Sequence, residues 1–331
     1  MTSDHLGNGW VSTGELPPPG EVQRLLDDAH ARYRTVDEGT VADYIPALAS
    51  VDPGLFGIAI AGVSGRVYET GDTGVTFTIQ SVSKPFVFAL ICELLGPDEV
   101  RDRLGVNGTG MPFDSVIAVE LHPDRRTNPL VNSGAIATTS LAPGSTREER
   151  WTFLHRGLSD FAGRELELDG EVLESEMATN GRNLGIARLL SSYGRMYCHP
   201  DEATELYTRQ CSLRVTATDL AIMGATLANG GTNPVTGKSV IAPEKCSRVL
   251  SVMATAGLYE QSGDWLYEIG LPGKSGVGGG IVTVSPGKGG CGAFSPPLDE
   301  AGNSVRGQLA TRHLSTALGL NLFGSAPSGP G

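Results

Sequence analysis

The chain has 331 residues, and its 37 acidic against 25 basic side chains leave a formal charge of −12. That balance disfavours a nucleic-acid partner, whose phosphates demand a basic surface. With 40% hydrophobic and 19% charged residues, wholesale disorder is excluded as well.

Five cysteines (Cys92, Cys198, Cys211, Cys246 and Cys291) are scattered and never in a C-x-x-C spacing, so neither a disulfide framework nor a zinc site is suggested. The reduced cytosol is the expected compartment. The first residues show no basic segment followed by an apolar run, and the roughly 18 uninterrupted apolar residues of a membrane span occur nowhere. The expectation is a soluble, cytoplasmic protein with no membrane partner.

In chain order, a polar stretch closing on Pro17-Pro18-Pro19-Gly20 and a final run of Gly, Ser, Ala and Pro read as mobile tails, 1–20 and 324–331, around one domain over 21–323. Val22, Leu25, Leu26 and Ala29 fall at helical spacing within Glu21 to Arg34. Phe56 to Val63 and Gly65 to Thr70 read as two strands joined by a short turn, hence an antiparallel hairpin. Val75 to Gln80 looks extended, and from Val82 a helix runs until Gly96-Pro97 stops it.

Further helices are expected over Arg147 to Phe161, Leu173 to Ser192, Pro200 to Gln210 and Thr216 to Leu227. The last of these has Thr216 and Asp219 placed as a capping box. Strand patterns return in Tyr267 to Leu271, Ile281 to Ser285 and Cys291 to Ser295, and a helix from Gly307 to Leu320 closes the chain. The expected class is therefore α/β (α+β): an antiparallel sheet lobe, about 21–80 and 255–323, flanked by terminal helices and interrupted by a helical subdomain, about 81–254.

The chemistry centres on Ser81-Val82-Ser83-Lys84, an S-x-x-K at a helix start. Residues three apart share a helix face, so hydroxyl and amine can meet beside the positive end of the helix dipole. A lysine whose pKa is pushed down by burial could take the serine proton. One S-x-x-K is weak evidence in a chain of this composition, and a second match, Ser285 to Lys288, contains Pro286-Gly287 and reads as a turn.

Lys274-Ser275-Gly276, a K-S-G on an expected strand followed by glycines, raises the first match. A phosphate loop would need a different spacing and a following helix. Together the two motifs are the parts of active-site serine proteins such as β-lactamases and penicillin-binding proteins. The six histidines show no ligand spacing, so neither a metal nor a cofactor is implied. No G-x-S-x-G elbow or Ser-His-Asp triad is visible.

The chain also resembles one family in detail over about residues 33–322, the serine-dependent glutaminases, which convert L-glutamine and water to L-glutamate and ammonia. The resemblance rests on six motifs in order: Ala42 to Pro46, Ile79 to Lys84, Asn128 to Ile136, Ser175-Glu176 with Arg182-Asn183, Tyr207 with Gln210 to Ser212, and Leu258-Tyr259 leading to Gly270 through Val277. It implies Ser81 as nucleophile, Lys84 as its base, and Tyr44 and Tyr259 as active-site tyrosines. Asn132, Glu176, Asn183 and Tyr207 are implied as glutamine ligands, and the Val277 N–H as partner of the Ser81 N–H in an oxyanion hole. A homo-oligomer, dimer or tetramer, is implied in the same way.

Departures are Gly273 where alanine is more usual, Leu258 where methionine is common, and a longer glycine-containing stretch, Gly287 to Gly292, read as a loop near the sheet edge. The residue types suit free glutamine: Glu176 can face its ammonium, while the amides of Asn132 and Asn183 and the Tyr207 hydroxyl can donate to its carboxylate. Two rivals share the serine and lysine. A penicillin-interactive hydrolase lacks its S-D-N here, and an acylated sensor would release ammonia once without turnover.

Overall fold

In the computed structural model, residues 15–43 and 45–324 are described. The pattern around residue 60 folds as the expected hairpin, β1 (Gly57–Gly62) against β2 (Val67–Gly71), with Ile58 opposite Thr70 and Ile60 opposite Tyr68. Three later strands complete the sheet: β5 (Gly273–Ser275), β6 (Gly280–Ser285) and β7 (Gly289–Phe294), which, numbered after the short β3 (Phe77–Thr78) and β4 (Arg214–Val215), give the order β2-β1-β7-β6-β5, all antiparallel. β3 and β4 pair separately, and this small ribbon leads the chain into Gln80 and Ser81.

Every residue of β1, β6 and β7 is buried, so both faces of the sheet are covered. The sequence Gly-Ile-Ala-Ile-Ala-Gly of β1 shows how. Ile58 and Ile60 point to one face, where helices α1 (Pro19–Tyr33), α12 (Ser262–Ile269) and α13 (Val305–Ala317) bring Val22, Leu26, Trp265 and Leu314 into one apolar cluster. Ala59 and Ala61 point to the other, against Ala221 and Ala225 of α10 (Ala217–Ala228). Small side chains on that face let the helix lie close to the strands.

The same reasoning corrects the expectation for Gly287 to Gly292. Most of this run is no edge loop: Gly289 to Gly292 belong to β7, the middle strand of the sheet. A Cβ on Gly290 would sit 2.4 Å from the Ala221 carbonyl oxygen, and one on Gly292 would sit 2.1 Å from that of Ala217. The glycines are where the backbones of α10 and β7 touch. The turn Ser285 to Lys288 joins β6 to β7, and its lysine Nζ donates to the Gly319 carbonyl at 2.6 Å, away from any serine partner.

The helical part is built around α2 (Ser83–Leu95), which is buried all round from Ser83 to Cys92. Around it and beside it lie α3 (Pro97–Leu104), α4 (Ile117–Leu121), α5 (Asn132–Thr139), α6 (Arg147–Ala162), α7 (Gly170–Thr179), α8 (Gly181–Ser192), α9 (Pro200–Cys211) and α11 (Pro243–Ala256). The Thr216–Asp219 capping box opens α10 as expected.

Four expectations are corrected. The single helix over Leu173 to Ser192 is two helices that break at Asn180, whose Nδ2 donates to Thr208 Oγ1 at 2.7 Å. Tyr267 to Leu271 is no strand: α12 runs to Ile269 and ends on Gly270 in the left-handed region, φ 70°. α11 was not among the expected helices. Finally, α1 already starts at Pro19, inside the stretch read as a tail; most of both expected tails, residues 1–14 and 325–331, lies outside the described residues. No helix among the described residues is long and apolar enough to cross a membrane.

Candidate active site

Ser81 sits in a short 3-10 turn, Gln80–Val82, that runs directly into α2, so its hydroxyl lies at the helix start. Lys84, one turn on, is wholly buried. Its Nζ lies 2.7 Å from Asn132 Oδ1 and 3.3 Å from the Leu130 carbonyl, both at the start of α5, and faces the rings of Phe113 and Tyr207 at 5.8 Å each. Burial disfavours the ammonium form and brings the Lys84 pKa down to about 8.

The K-S-G strand closes the site from the sheet side. A Cβ on Gly276 would lie 3.3 Å from the Ser81 backbone nitrogen, so β5 passes directly behind the serine turn. Lys274 is also fully buried and pushed well below the ordinary lysine range, by burial first and then by the nearby Lys84 amine. Its Nζ lies 4.2 Å from the centre of the Tyr259 ring and donates to the Ser275 carbonyl, which also accepts from Tyr259 Oη at 3.2 Å.

Among the described residues, non-glycine backbone in the left-handed region occurs at Gln80 (φ 50°), Arg125 (φ 59°) and Tyr259 (φ 56°). Two of the three belong to this site, where strain is commonly stored.

In front lies a cavity of about 540 Å³ lined by Ser81, Asn132, Glu176, Asn183, Tyr207 and Val277, with Gln80, Cys211, Phe113 and the loop Leu298 to Gly302. Asn132 Oδ1 accepts from Tyr207 Oη at 3.2 Å as well as from Lys84, and its Nδ2 donates to Asn183 Oδ1 at 3.0 Å. In this arrangement the Tyr207 proton is directed at Asn132 rather than into the cavity. Burial raises the Glu176 pKa to about 7, moderated by a hydrogen bond from Gln80 Nε2 at 2.6 Å. A second cavity, about 510 Å³ around Arg101 to Thr127, holds none of the expected site residues.

Of the residues expected from sequence, Ser81, Lys84, Asn132, Glu176, Asn183, Tyr207, Tyr259, Lys274, Ser275, Gly276 and Val277 converge here from eight separate elements and the loop that follows β5. Tyr44 lies outside the described residues. Sequence reasoning assigned nothing to Gln80, Phe113, Cys211 or the 298–302 loop. For Gln80 a signal existed, its place inside the Ile79-to-Lys84 motif; for Phe113 and the loop there was none.

The family profile described as glutaminase matches residues 39–323. The chain belongs to the glutaminase family. It is 58% identical over 330 residues to "Glutaminase 2" of Yersinia pestis, covering 99% of this chain and 97% of that one. Among solved structures it resembles the probable glutaminase ybaS at a TM-score of 0.92 and 46% identity, over 93% of this chain and 100% of that one. It also resembles the probable glutaminase from Bacillus subtilis complexed with 6-diazo-5-oxo-L-norleucine, at a TM-score of 0.83 and 30% identity, over 95% and 100%. The enzyme hydrolyses glutamine on the β-lactamase-like fold of its family.

Proposed function

We propose that glutamine is opened by an acyl-enzyme route in which Ser81 is the nucleophile and Lys84 its base. The observation that carries this reading is the wholly buried Lys84 amine, one turn from Ser81, with a pKa of about 8 and an acceptor rather than a carboxylate beside it. A carboxylate there would hold the proton on the lysine; the neutral Asn132 oxygen does so far less.

Ser81 Oγ bonds to the side-chain amide carbon as its proton passes to Lys84. The resulting oxyanion takes hydrogen bonds from the N–H groups of Ser81 and Val277. Each such donor contributes about 3 kcal/mol. The proton then goes to the amide nitrogen from Lys84 or Tyr259, the C–N bond breaks, and ammonia leaves. Water attacks the ester, returns the proton to Ser81 Oγ, and releases glutamate.

Glu176 faces the substrate ammonium. Asn183, the free Nδ2 proton of Asn132 and Tyr207 serve the carboxylate, with Tyr207 turning from its present acceptor to do so. Ala42, Asp43 and Ile45 line the cavity, and in this reading Tyr44, of the same sequence motif, serves the same site. Lys274, Ser275 and Gly276 back Ser81 and Tyr259. The five thiols, unpaired and four of them buried, suit a reducing cytoplasm, and we assign a homo-oligomeric state testable by light scattering.

The test is ammonia release by Ser81→Ala and Lys84→Ala, with acid-quenched wild type digested for a glutamyl adduct on the Ser81 peptide. Sustained release by wild type, loss in both variants and an adduct on that peptide are expected. Full activity in both variants overturns the mechanism.

A further inference from the structure

Gln80 stands immediately before the nucleophile, in strained backbone, and is nearly fully buried. Three buried residues hold its main chain. Ser83 Oγ donates to the Gln80 carbonyl at 2.7 Å, Gln210 Nε2 donates to Ser83 Oγ at 3.3 Å, and Thr139 Oγ1 donates to Gln210 Oε1 at 2.9 Å. A fixed backbone aims the side chain.

Both protons of its amide are used: one goes to Thr78 Oγ1 at 3.1 Å and the other to Glu176 Oε1 at 2.6 Å. Glu176 comes from α7, 96 positions away in the chain, so this contact joins the turn bearing Ser81 to the carboxylate of the binding cavity.

We propose that Gln80 is a positioning residue for substrate selection: its amide occupies one oxygen of Glu176 and so presents the other to a cationic group in the cavity. The proposal rests on the reading of Glu176 as the partner of the substrate ammonium. Two of the four hydrogen-bonding sites of a carboxylate lie on each oxygen, so a donor fixed on Oε1 sets the rotamer and orients Oε2.

The other groups near Glu176 cannot do this. On α9, the Tyr207 hydroxyl is spent on Asn132 Oδ1 at 3.2 Å, and Cys211, whose thiol burial pushes up to about 12, is only a weak donor. Arg182, at the cavity mouth, is paired with Asp114 at 3.1 Å. Asp43, Asp299 and Glu300, also on the cavity wall, bear carboxyl groups and bring Glu176 no cationic partner.

The consequence is a split between substrates with and without an α-ammonium. Gln80→Met keeps length and shape but removes the amide; Gln80→Asn keeps an amide, too short to reach, on a residue that tolerates left-handed backbone. For both, KM for glutamine is expected to rise about tenfold, the scale of one hydrogen bond to a charged group. kcat should change less than threefold. With glutaramate, which has the carboxamide and the carboxylate but no ammonium, the penalty should disappear.

The pH profile gives a second readout. The Gln80 hydrogen bond favours the Glu176 carboxylate, so losing it must move the rise of kcat/KM near pH 7 to higher pH while leaving the limb near pH 8 in place. Glu176→Gln is measured alongside. An unchanged glutamine KM in Glu176→Gln sinks the reading of Glu176 itself. A raised KM there, with Gln80→Met and Gln80→Asn that match wild type or lose kcat equally on both substrates, overturns the role given to Gln80 alone.

Discussion

The Nζ of Lys84 lies 2.7 Å from Oδ1 of Asn132, and this contact decides which way the Asn132 amide points. With its oxygen turned to an amine and to the Tyr207 hydroxyl, its NH₂ must face Asn183. One neutral acceptor therefore orients the base and sets the direction of the binding amides together.

Replacing that acceptor by an anion should disable the base without moving it. In Asn132→Asp a carboxylate beside the amine favours the ammonium form, so the Lys84 pKa must rise above its present value of about 8. The active form is the neutral amine, which becomes scarcer at pH 7. A rise of one in the pKa makes it about tenfold scarcer, so turnover there should fall by at least about tenfold and recover as pH is raised. A kcat profile whose alkaline limb stays near pH 8 refutes the argument.

The wild-type profile follows from the same sign. Burial lowers the Lys84 pKa, the base works when deprotonated, and kcat should climb with pH through about 8. Lys84→Arg keeps a cation of similar reach that never gives up its proton. Its kcat should be reduced by about 10² to 10⁴ at every pH from 6 to 10, measured as ammonia release, with no limb at all.

How much of this could be read from sequence depends on the kind of signal. The serine and lysine were legible because their spacing has a geometric meaning on a helix, and the Thr216–Asp219 box because capping is local. The run Tyr-Glu-Ile-Gly-Leu at 267–271 misled because five residues cannot separate a strand from the end of a helix. The deciding facts are Trp265 and Ile269 buried one turn apart, and Trp265 Nε1 donating to Leu271 at 2.8 Å.

α11 could have been found: Pro243 at its first turn and Cys246, Val249, Leu250 and Met253 at helical spacing give the pattern. The Asn180-Gly181 pair likewise marked the break between α7 and α8. The Gln80–Glu176 contact could not have been read, since it depends on how a distant helix packs. The glycines of β7 were misread for the same reason, because only the position of α10 explains them.

Gly292 makes that last point measurable. An added Cβ would meet the Ala217 carbonyl oxygen at 2.1 Å and the Ala221 nitrogen at 2.7 Å, both helix backbone that cannot swing aside. Gly292→Ala should therefore destabilise the fold by about 3 kcal/mol, at the upper end of overpacking costs. Gly74→Ala, where a Cβ meets nothing within 4 Å, is the control and should stay within about 0.5 kcal/mol. Urea unfolding of the two variants compares them directly, and equal midpoints would mean that α10 does not rest on β7 as described.

Asp219 ties the start of α10 to the region behind the serine. Its carboxylate accepts from Arg164 Nε at 2.8 Å and Nη2 at 2.6 Å, and from the Thr216 backbone N–H at 2.7 Å, just after β4, whose partner β3 leads to Gln80. Asp219→Ala removes a cap and a two-pronged charge-assisted contact and should cost about 3 kcal/mol. Because Arg164 is partly exposed, the cap should account for most of this. Arg164→Ala alone should then cost no more than about 1 kcal/mol, and the double variant should match Asp219→Ala within error. A double variant whose loss is the sum of the two singles would show that the two side chains act independently.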